Sequence, residues 1–214
     1  MLLNNASFLN NISFGSIKAE KRVCEDILRQ YHQKYPQEFQ SNTKVNTKIN
    51  KIWNYSLLSL SKYTNLSSRQ EQAVRMARKE YGGRTYQNWE DYIASLKKAC
   101  LKHKAANCGE QNLLLADEFF KKGIEVHTIK VEYDKKLVHT FLVTNAKENA
   151  DWSDPKTWGN KAIVVDAWSN VVLQAKDAIE YFKKLFQFDP RVHTEKFFSK
   201  DLINVKEYLK KMKQ

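Results

Sequence analysis

The spacing of hydrophobic residues changes near the middle of the chain, and this change constrains the fold more than any other feature. Up to about residue 106 the apolar side chains recur every three or four positions, as in Trp89, Ile93, Leu96 and Cys100, which is the spacing of amphipathic helices. Between residues 125 and 175 the apolar residues alternate or form short runs, as strands do. Helices followed by a run of antiparallel strands indicate an α+β fold.

The same patterns predict the individual elements. A helical first part should be followed by a further helix that begins at Cys108, then by a roughly four-stranded antiparallel sheet, and finally by C-terminal helices. The predicted helices cover residues 17–39, 52–63, 70–81, 89–100 and 108–122, with two more around 178–185 and 202–209. The predicted strands cover residues 125–133, 137–144, 162–168 and 171–175.

The chain has no internal repeat and no linker rich in Gly, Ser or Pro, which indicates one domain. Residues 1–16, rich in Asn and Ser, are predicted to be a flexible leader. Residues 17–214 form the predicted catalytic domain. Its three parts are the helices of residues 17–106, the Cys108 helix with the sheet at 107–175, and the helices of residues 176–214.

The basic charge of the chain is concentrated in its first half. Of the 214 residues, 36 are Lys or Arg and 24 are Asp or Glu, giving a net charge of +12, and residues 1–106 carry 18 of these basic residues against 8 acidic ones. Such a field attracts acidic protein surfaces, nucleic acid or anionic lipid. An exposed, Lys-rich helix surface with no partner is the simpler interpretation of the same pattern.

Several classes of protein are excluded by what the sequence lacks. No apolar stretch is long enough to span a membrane, and the first residues lack the basic and continuously apolar regions of a Sec signal peptide. Three cysteines cannot form a paired disulfide framework, which favours a reducing compartment. We therefore expect a cytoplasmic protein, or one that a specialised system secretes into a host cell.

Cys108 is the first candidate for chemistry, because it stands at the start of a helix. The helix body from Leu113 to Phe120 is strongly apolar and should be buried, which would hold the helix in place. A thiol in the first turn faces unpaired N–H groups and the positive end of the helix dipole, and both favour the thiolate. A small buried cysteine with no reactivity is the alternative interpretation.

His139 and Asp166 are the second and third candidates, because each interrupts a strand that otherwise looks buried. A buried carboxylate is costly unless a partner compensates it, and His139 is a suitable partner. If the two strands pair so that opposed residue numbers sum to 305, His139 faces Asp166 on one side of the sheet. The long loop between these strands, residues 145–161, is of the kind that often borders a site.

These three residues lie in motifs that resemble a known group of enzymes. The pattern resembles the transglutaminase-like and papain-like cysteine enzymes, and more narrowly the Cys-His-Asp effectors that bacteria inject into host cells. The resemblance covers about residues 105–170. Its motifs are Asn107-Cys108-Gly109-Glu110, Val138-His139-Thr140-Phe141 and Val164-Val165-Asp166-Ala167-Trp168.

The resemblance implies a papain-like or transglutaminase-like core with Cys108 as nucleophile, His139 as general base and acid, and Asp166 as the group that holds the imidazole. It also implies a protein substrate, a virulence role and no cofactor, while proteolysis, deamidation and transglutamination all stay open. Two positions depart from the family pattern. Ala167 stands where Pro is common, and Lys102 stands where a papain-type enzyme has its oxyanion glutamine.

Other chemistries have less support in the sequence. Cys100, His103 and Cys108 are spaced like part of a zinc knuckle, but no fourth ligand lies nearby. Nucleotide-binding and zinc-protease motifs are absent. The main alternative to an enzyme is a basic binding module for nucleic acid or anionic lipid that keeps a non-catalytic version of the three residues.

Overall fold

The computed structural model describes residues 16–35, 68–82, 84–133 and 137–186. Within these ranges five α-helices and a four-stranded antiparallel sheet are present, and the α+β class predicted from the periodicity is confirmed. The predicted helices at residues 52–63 and 202–209 and nearly all of the predicted leader lie outside the described residues. The helices are α1 (Ile17–Lys34), α2 (Ser68–Gly82), α3 (Trp89–His103), α4 (Cys108–Lys121) and α5 (Ala175–Phe186).

The helix ends follow from local chemistry. The Asn88 side chain accepts a hydrogen bond from the Asp91 N–H at 2.8 Å and begins α3, because an N-cap side chain satisfies a backbone donor that has no partner in the helix. Lys104 ends the same helix in a left-handed conformation with φ 49°, so the chain turns sharply before α4. This turn sets where Cys108 begins the next helix.

The four strands form a simple antiparallel meander in the order β1, β2, β3, β4. The strands are β1 (His127–Tyr133), β2 (Leu137–Thr144), β3 (Ile163–Asp166) and β4 (Val171–Gln174), and a short 3₁₀ helix (Pro155–Trp158) interrupts the β2–β3 loop. The predicted register of β2 against β3 is wrong: Val143 pairs with Val164, so opposed residue numbers sum to 307 rather than 305. Since the displacement is two residues, each side chain stays on its predicted face.

The two faces of the sheet belong to two separate hydrophobic clusters. Leu142, Val165 and Val172 pack with the apolar sides of the first four helices. Phe141, Val143 and Val164 pack on the opposite face with residues of α5 and of the β2–β3 loop, including Phe182 and Trp158. In the described residues no helix is both long and apolar enough to cross a membrane.

Candidate active site

The site forms where strands β2 and β3 separate. Their ladder ends at the pair formed by Leu142 and Val165, and two positions further along in this register Thr140 lies opposite Ala167. The side chain of Asn112 on α4 fills the opening: its Nδ2 donates to the Thr140 carbonyl at 2.8 Å, and its Oδ1 accepts from the Ala167 N–H at 3.0 Å. One side-chain amide thus takes the place of a ladder hydrogen bond between the two strands.

The same amide also connects α4 to Asp166. Asn112 Nδ2 lies 2.9 Å from Asp166 Oδ1 and 3.0 Å from the Cys108 carbonyl oxygen, and the Asn112 side chain is fully buried. Asn112 is one helical turn after Cys108, so this contact fixes the start of α4 against the sheet. In the sequence, the only signal for Asn112 is that a polar side chain stands next to the apolar run that begins at Leu113, and it did not predict this role.

Asp166 is a buried carboxylate that is fully supplied with donors. His139 Nε2 lies 2.8 Å from Oδ2, which also accepts from the Ser169 hydroxyl, and the Trp168 N–H donates to Oδ1 at 2.9 Å. Burial by itself raises the pKa of Asp166, but the charge and hydrogen bond of His139, with those of Asn112 and Ser169, hold it below its usual range. Asp166 is therefore ionised at neutral pH.

His139 is held by Asp166 on one side and lies among aromatic rings on the others. It is 2% exposed, and the ring centroids of Trp168, Phe182 and Phe141 lie 5.1, 5.2 and 6.1 Å from its own. Burial alone lowers the pKa of His139, but the charge and hydrogen bond of Asp166 and a hydrogen bond with Cys108 raise it to about 10. The imidazole is therefore a cation at neutral pH.

The geometry also determines which ring nitrogen faces the thiol. The ionised Asp166 can only accept hydrogen bonds, so His139 Nε2 carries a proton that it donates to Oδ2. The hydrogen bond with the Cys108 side chain is then left to Nδ1. The structure thus brings together all three residues that the sequence analysis selected, and Cys108 is the only one of them that is partly exposed.

The start of α4 is fixed by a capping box. Glu110 Oε2 accepts from the Asn107 N–H at 2.9 Å, while the Asn107 side chain in turn faces the Glu110 N–H. These contacts use two of the four N–H groups that lack acceptors within a helix, and Cys108 and Gly109 carry the other two. The Asn-x-x-Glu spacing is a recognisable capping-box signal in the sequence, and it explains the Glu of the first motif.

Glu110 also joins α4 to α2. Arg78 donates to both carboxylate oxygens, with Nε 2.6 Å from Oε1 and Nη2 3.2 Å from Oε2, and the Tyr81 hydroxyl donates at 2.7 Å. Burial raises the pKa of Glu110, but Arg78 and Tyr81 outweigh it, and the pKa lies below its usual range. Nothing in the sequence indicated that Arg78 or Tyr81 would lie here.

The residues suggested for other roles are engaged elsewhere. Lys102, at the position of the papain-type glutamine, pairs with Glu80 at 2.5 Å. His103 lies 2.8 Å from the same carboxylate, and Cys100 is fully buried in the helical core. In the part of the chain that the structure describes, no group of three or more His, Cys, Asp or Glu residues is placed to hold a metal ion.

Comparisons with known proteins do not place this chain in a family. No protein-family model, no curated protein and no solved structure matches it. The likeness to the Cys-His-Asp effectors therefore depends on the three local motifs alone, and a function can be inferred only from the geometry of the site.

Proposed function

We propose that this protein is a cysteine-dependent acyl-transfer enzyme that acts on amides of protein substrates. The observation that carries the proposal is the buried His139, which binds the ionised Asp166 through one nitrogen and the Cys108 thiol through the other. Two buried ionisable groups are costly in a protein interior, and pairing them beside a partly exposed thiol is what a nucleophilic enzyme requires.

The proposed reaction begins with the thiolate of Cys108 and the imidazolium of His139. The sulfur adds to the amide carbonyl carbon, and the carbonyl oxygen takes up the negative charge. N–H groups in the first turn of α4, including that of Gly109, are the proposed donors to this oxygen. His139 Nδ1 then gives its proton to the nitrogen, the C–N bond breaks, an amine or ammonia leaves, and a thioester remains on Cys108.

The second half of the reaction regenerates the thiolate. His139, now neutral, takes a proton from the incoming nucleophile, which attacks the thioester carbon and expels the sulfur. Attack by water on a cleaved main-chain amide is proteolysis, and attack by water on a glutamine-derived thioester is deamidation. Attack by a lysine amine is transglutamination. Asp166 holds the ring in the orientation that both halves need.

An acylation experiment tests this proposal without knowledge of the natural substrate. The protein is mixed with p-nitrophenyl acetate, and its intact mass is followed with time. The wild type should gain one acetyl group on Cys108 and then lose it to water, whereas Cys108→Ala should gain none. Cys24→Ala is the matched control and should behave like the wild type, because burial raises the pKa of Cys24 to about 12 and makes it a poor nucleophile.

The alternative function, a basic module that binds nucleic acid or anionic lipid, makes different predictions. Such a protein would show no acetyl adduct on Cys108, and its binding to DNA or anionic vesicles would weaken steeply with salt.

Incubation of lysate proteins with the wild type and with Cys108→Ala would distinguish the three enzymatic outcomes, since fragments, a shift from amide to acid, and cross-links differ in mass. Action inside a host cell stays a prediction.

A further inference from the structure

An arginine is fixed beside the proposed nucleophile without being part of the proposed reaction. Arg78 on α2 forms a two-pronged ion pair with Glu110, which is two residues after Cys108 in the first turn of α4. The same Glu110 carboxylate binds the backbone N–H of Asn107, the residue immediately before Cys108. The guanidinium therefore lies against the end of the helix that carries the thiol, and Arg78 and Cys108 interact electrostatically.

The two partners of this ion pair differ sharply in exposure. Glu110 is 1% exposed, whereas the Arg78 side chain is 44% exposed. A guanidinium has five N–H donors in one plane, and Glu110 uses one on Nε and one on Nη2. Glu110 is the only hydrogen-bond acceptor that the described residues provide for Arg78. As far as the described residues go, the outer edge of the plane, with Nη1, therefore remains available to a ligand.

The ion pair makes this outer edge well suited to recognition. Because Glu110 fixes the plane from behind, a ligand that binds the outer edge loses little side-chain entropy in Arg78. A carboxylate matches the remaining pair of donors in both geometry and charge. The surrounding surface favours anions as well, since the first half of the chain is strongly basic.

We propose that Arg78 is a substrate-binding residue that holds a carboxylate next to the amide attacked by Cys108. The proposal rests on the proposed function and deepens it by naming a substrate class: proteins with an Asp or Glu side chain, or a chain-terminal carboxylate, beside the reacting amide. In a purely structural role, Arg78 would only neutralise Glu110 and support the helix start, and the outer edge would bind nothing.

Two alkylating reagents that differ by one charge test the proposal on the whole protein. Iodoacetate carries a carboxylate and iodoacetamide a neutral amide, and both alkylate a thiol by displacing iodide. The measured quantity is the ratio of their rates at Cys108, followed by peptide mass in the Cys24→Ala background. Wild-type protein should show a higher iodoacetate-to-iodoacetamide ratio than a cysteine in an unstructured peptide.

Two variants should move this ratio in opposite directions. Glu110→Gln keeps an acceptor for the Asn107 N–H and for Arg78 but removes the neutralising charge, so the ratio should rise. The double variant Arg78→Met with Glu110→Gln removes the guanidinium without leaving a buried charge unpaired, so the ratio should fall roughly threefold to tenfold from that of the wild type. Arg78→Lys keeps the charge but loses the planar fork, so the ratio should fall by less.

The matched control is Lys79→Met, which removes an exposed cation from the same helix without touching the Glu110 pair. Its ratio should stay within a small factor of the wild-type value, and the proposal is overturned if Lys79→Met lowers the ratio as much as the double variant does. An unchanged ratio in the double variant and in Arg78→Lys would also overturn it. Since alkylation requires no acyl transfer, this result is independent of whether Cys108 turns over an ester.

Discussion

Replacement of Asn112 by alanine should test how strongly one amide holds the site together. The side chain makes three hydrogen bonds to β2 and β3, to the Thr140 carbonyl, the Ala167 N–H and Asp166 Oδ1. Alanine would leave all three groups buried without this partner. Asp166 Oδ1 keeps the Trp168 N–H as a donor, so the Thr140 carbonyl and the Ala167 N–H are the two groups that lose a partner. An unsatisfied buried polar group costs about 1–3 kcal/mol, so we expect a loss of about 2–6 kcal/mol from a total that is typically about 5–15 kcal/mol.

The loss should be measured as the free energy of unfolding in urea, with the slope checked for two-state behaviour. Ser169→Ala is the matched control, because Ser169 is also buried and also donates to Asp166 but bridges no strands. We expect Ser169→Ala to cost about 1–2 kcal/mol. If Asn112→Ala costs no more than Ser169→Ala, Asn112 does not hold β2 and β3 together.

Three further results are expected. Asp166→Asn should keep the fold but lower turnover roughly a hundredfold or more. The donors Asn112 and Trp168 keep the amide oxygen at the Oδ1 position, so the NH₂ faces His139, which then carries its proton on Nδ1 and cannot act as a base; unchanged turnover would remove Asp166 from the mechanism. Because the pKa of His139 is raised from 6.5 to about 10, the stability that His139 contributes should be complete below about pH 6.5. It should be lost as the pH rises through 10, by up to about 5 kcal/mol. The free energy of unfolding of His139→Gln, measured in urea, should lack this decline. Gly109→Ala should leave the free energy of unfolding unchanged or slightly higher, because the added Cβ would lie 4.0 Å from Thr140 Oγ1. Acylation by protein substrates should nevertheless fall, because the substrate backbone would approach Gly109; equal rates would place that approach elsewhere.

The elements of the fold were accessible from the sequence because each depends on a local pattern. The alternation in β2 and the apolar stripe of α3 follow from which residues must face a core, and both elements lie where they were predicted. The register between β2 and β3 was wrong by two residues, because parity fixes the face of each side chain but not how far one strand slides along the other. In the observed register Asn112, which belongs to a helix distant in sequence, bonds to Thr140 on one strand and to Ala167 just after the other.

The site could be predicted only in part for the same reason. Cys108, His139 and Asp166 were visible because each departs from its local pattern. Glu110 carried a capping-box signal that explains its bond to the Asn107 N–H. Arg78 gave no signal, since an arginine on a helical surface is ordinary, and its position beside the thiol depends on how α2 packs against α3 and α3 against α4.

The rate at which iodoacetamide alkylates Cys108 at pH 6 tests the central claim most directly. The wild type and His139→Gln are compared in the Cys24→Ala background, with each modified peptide identified by mass. An imidazolium hydrogen-bonded to the sulfur stabilises the thiolate, so the wild type should react roughly tenfold faster or more than His139→Gln. Equal rates in the two proteins would contradict the account, because His139 would then have no effect on the nucleophile it is proposed to activate.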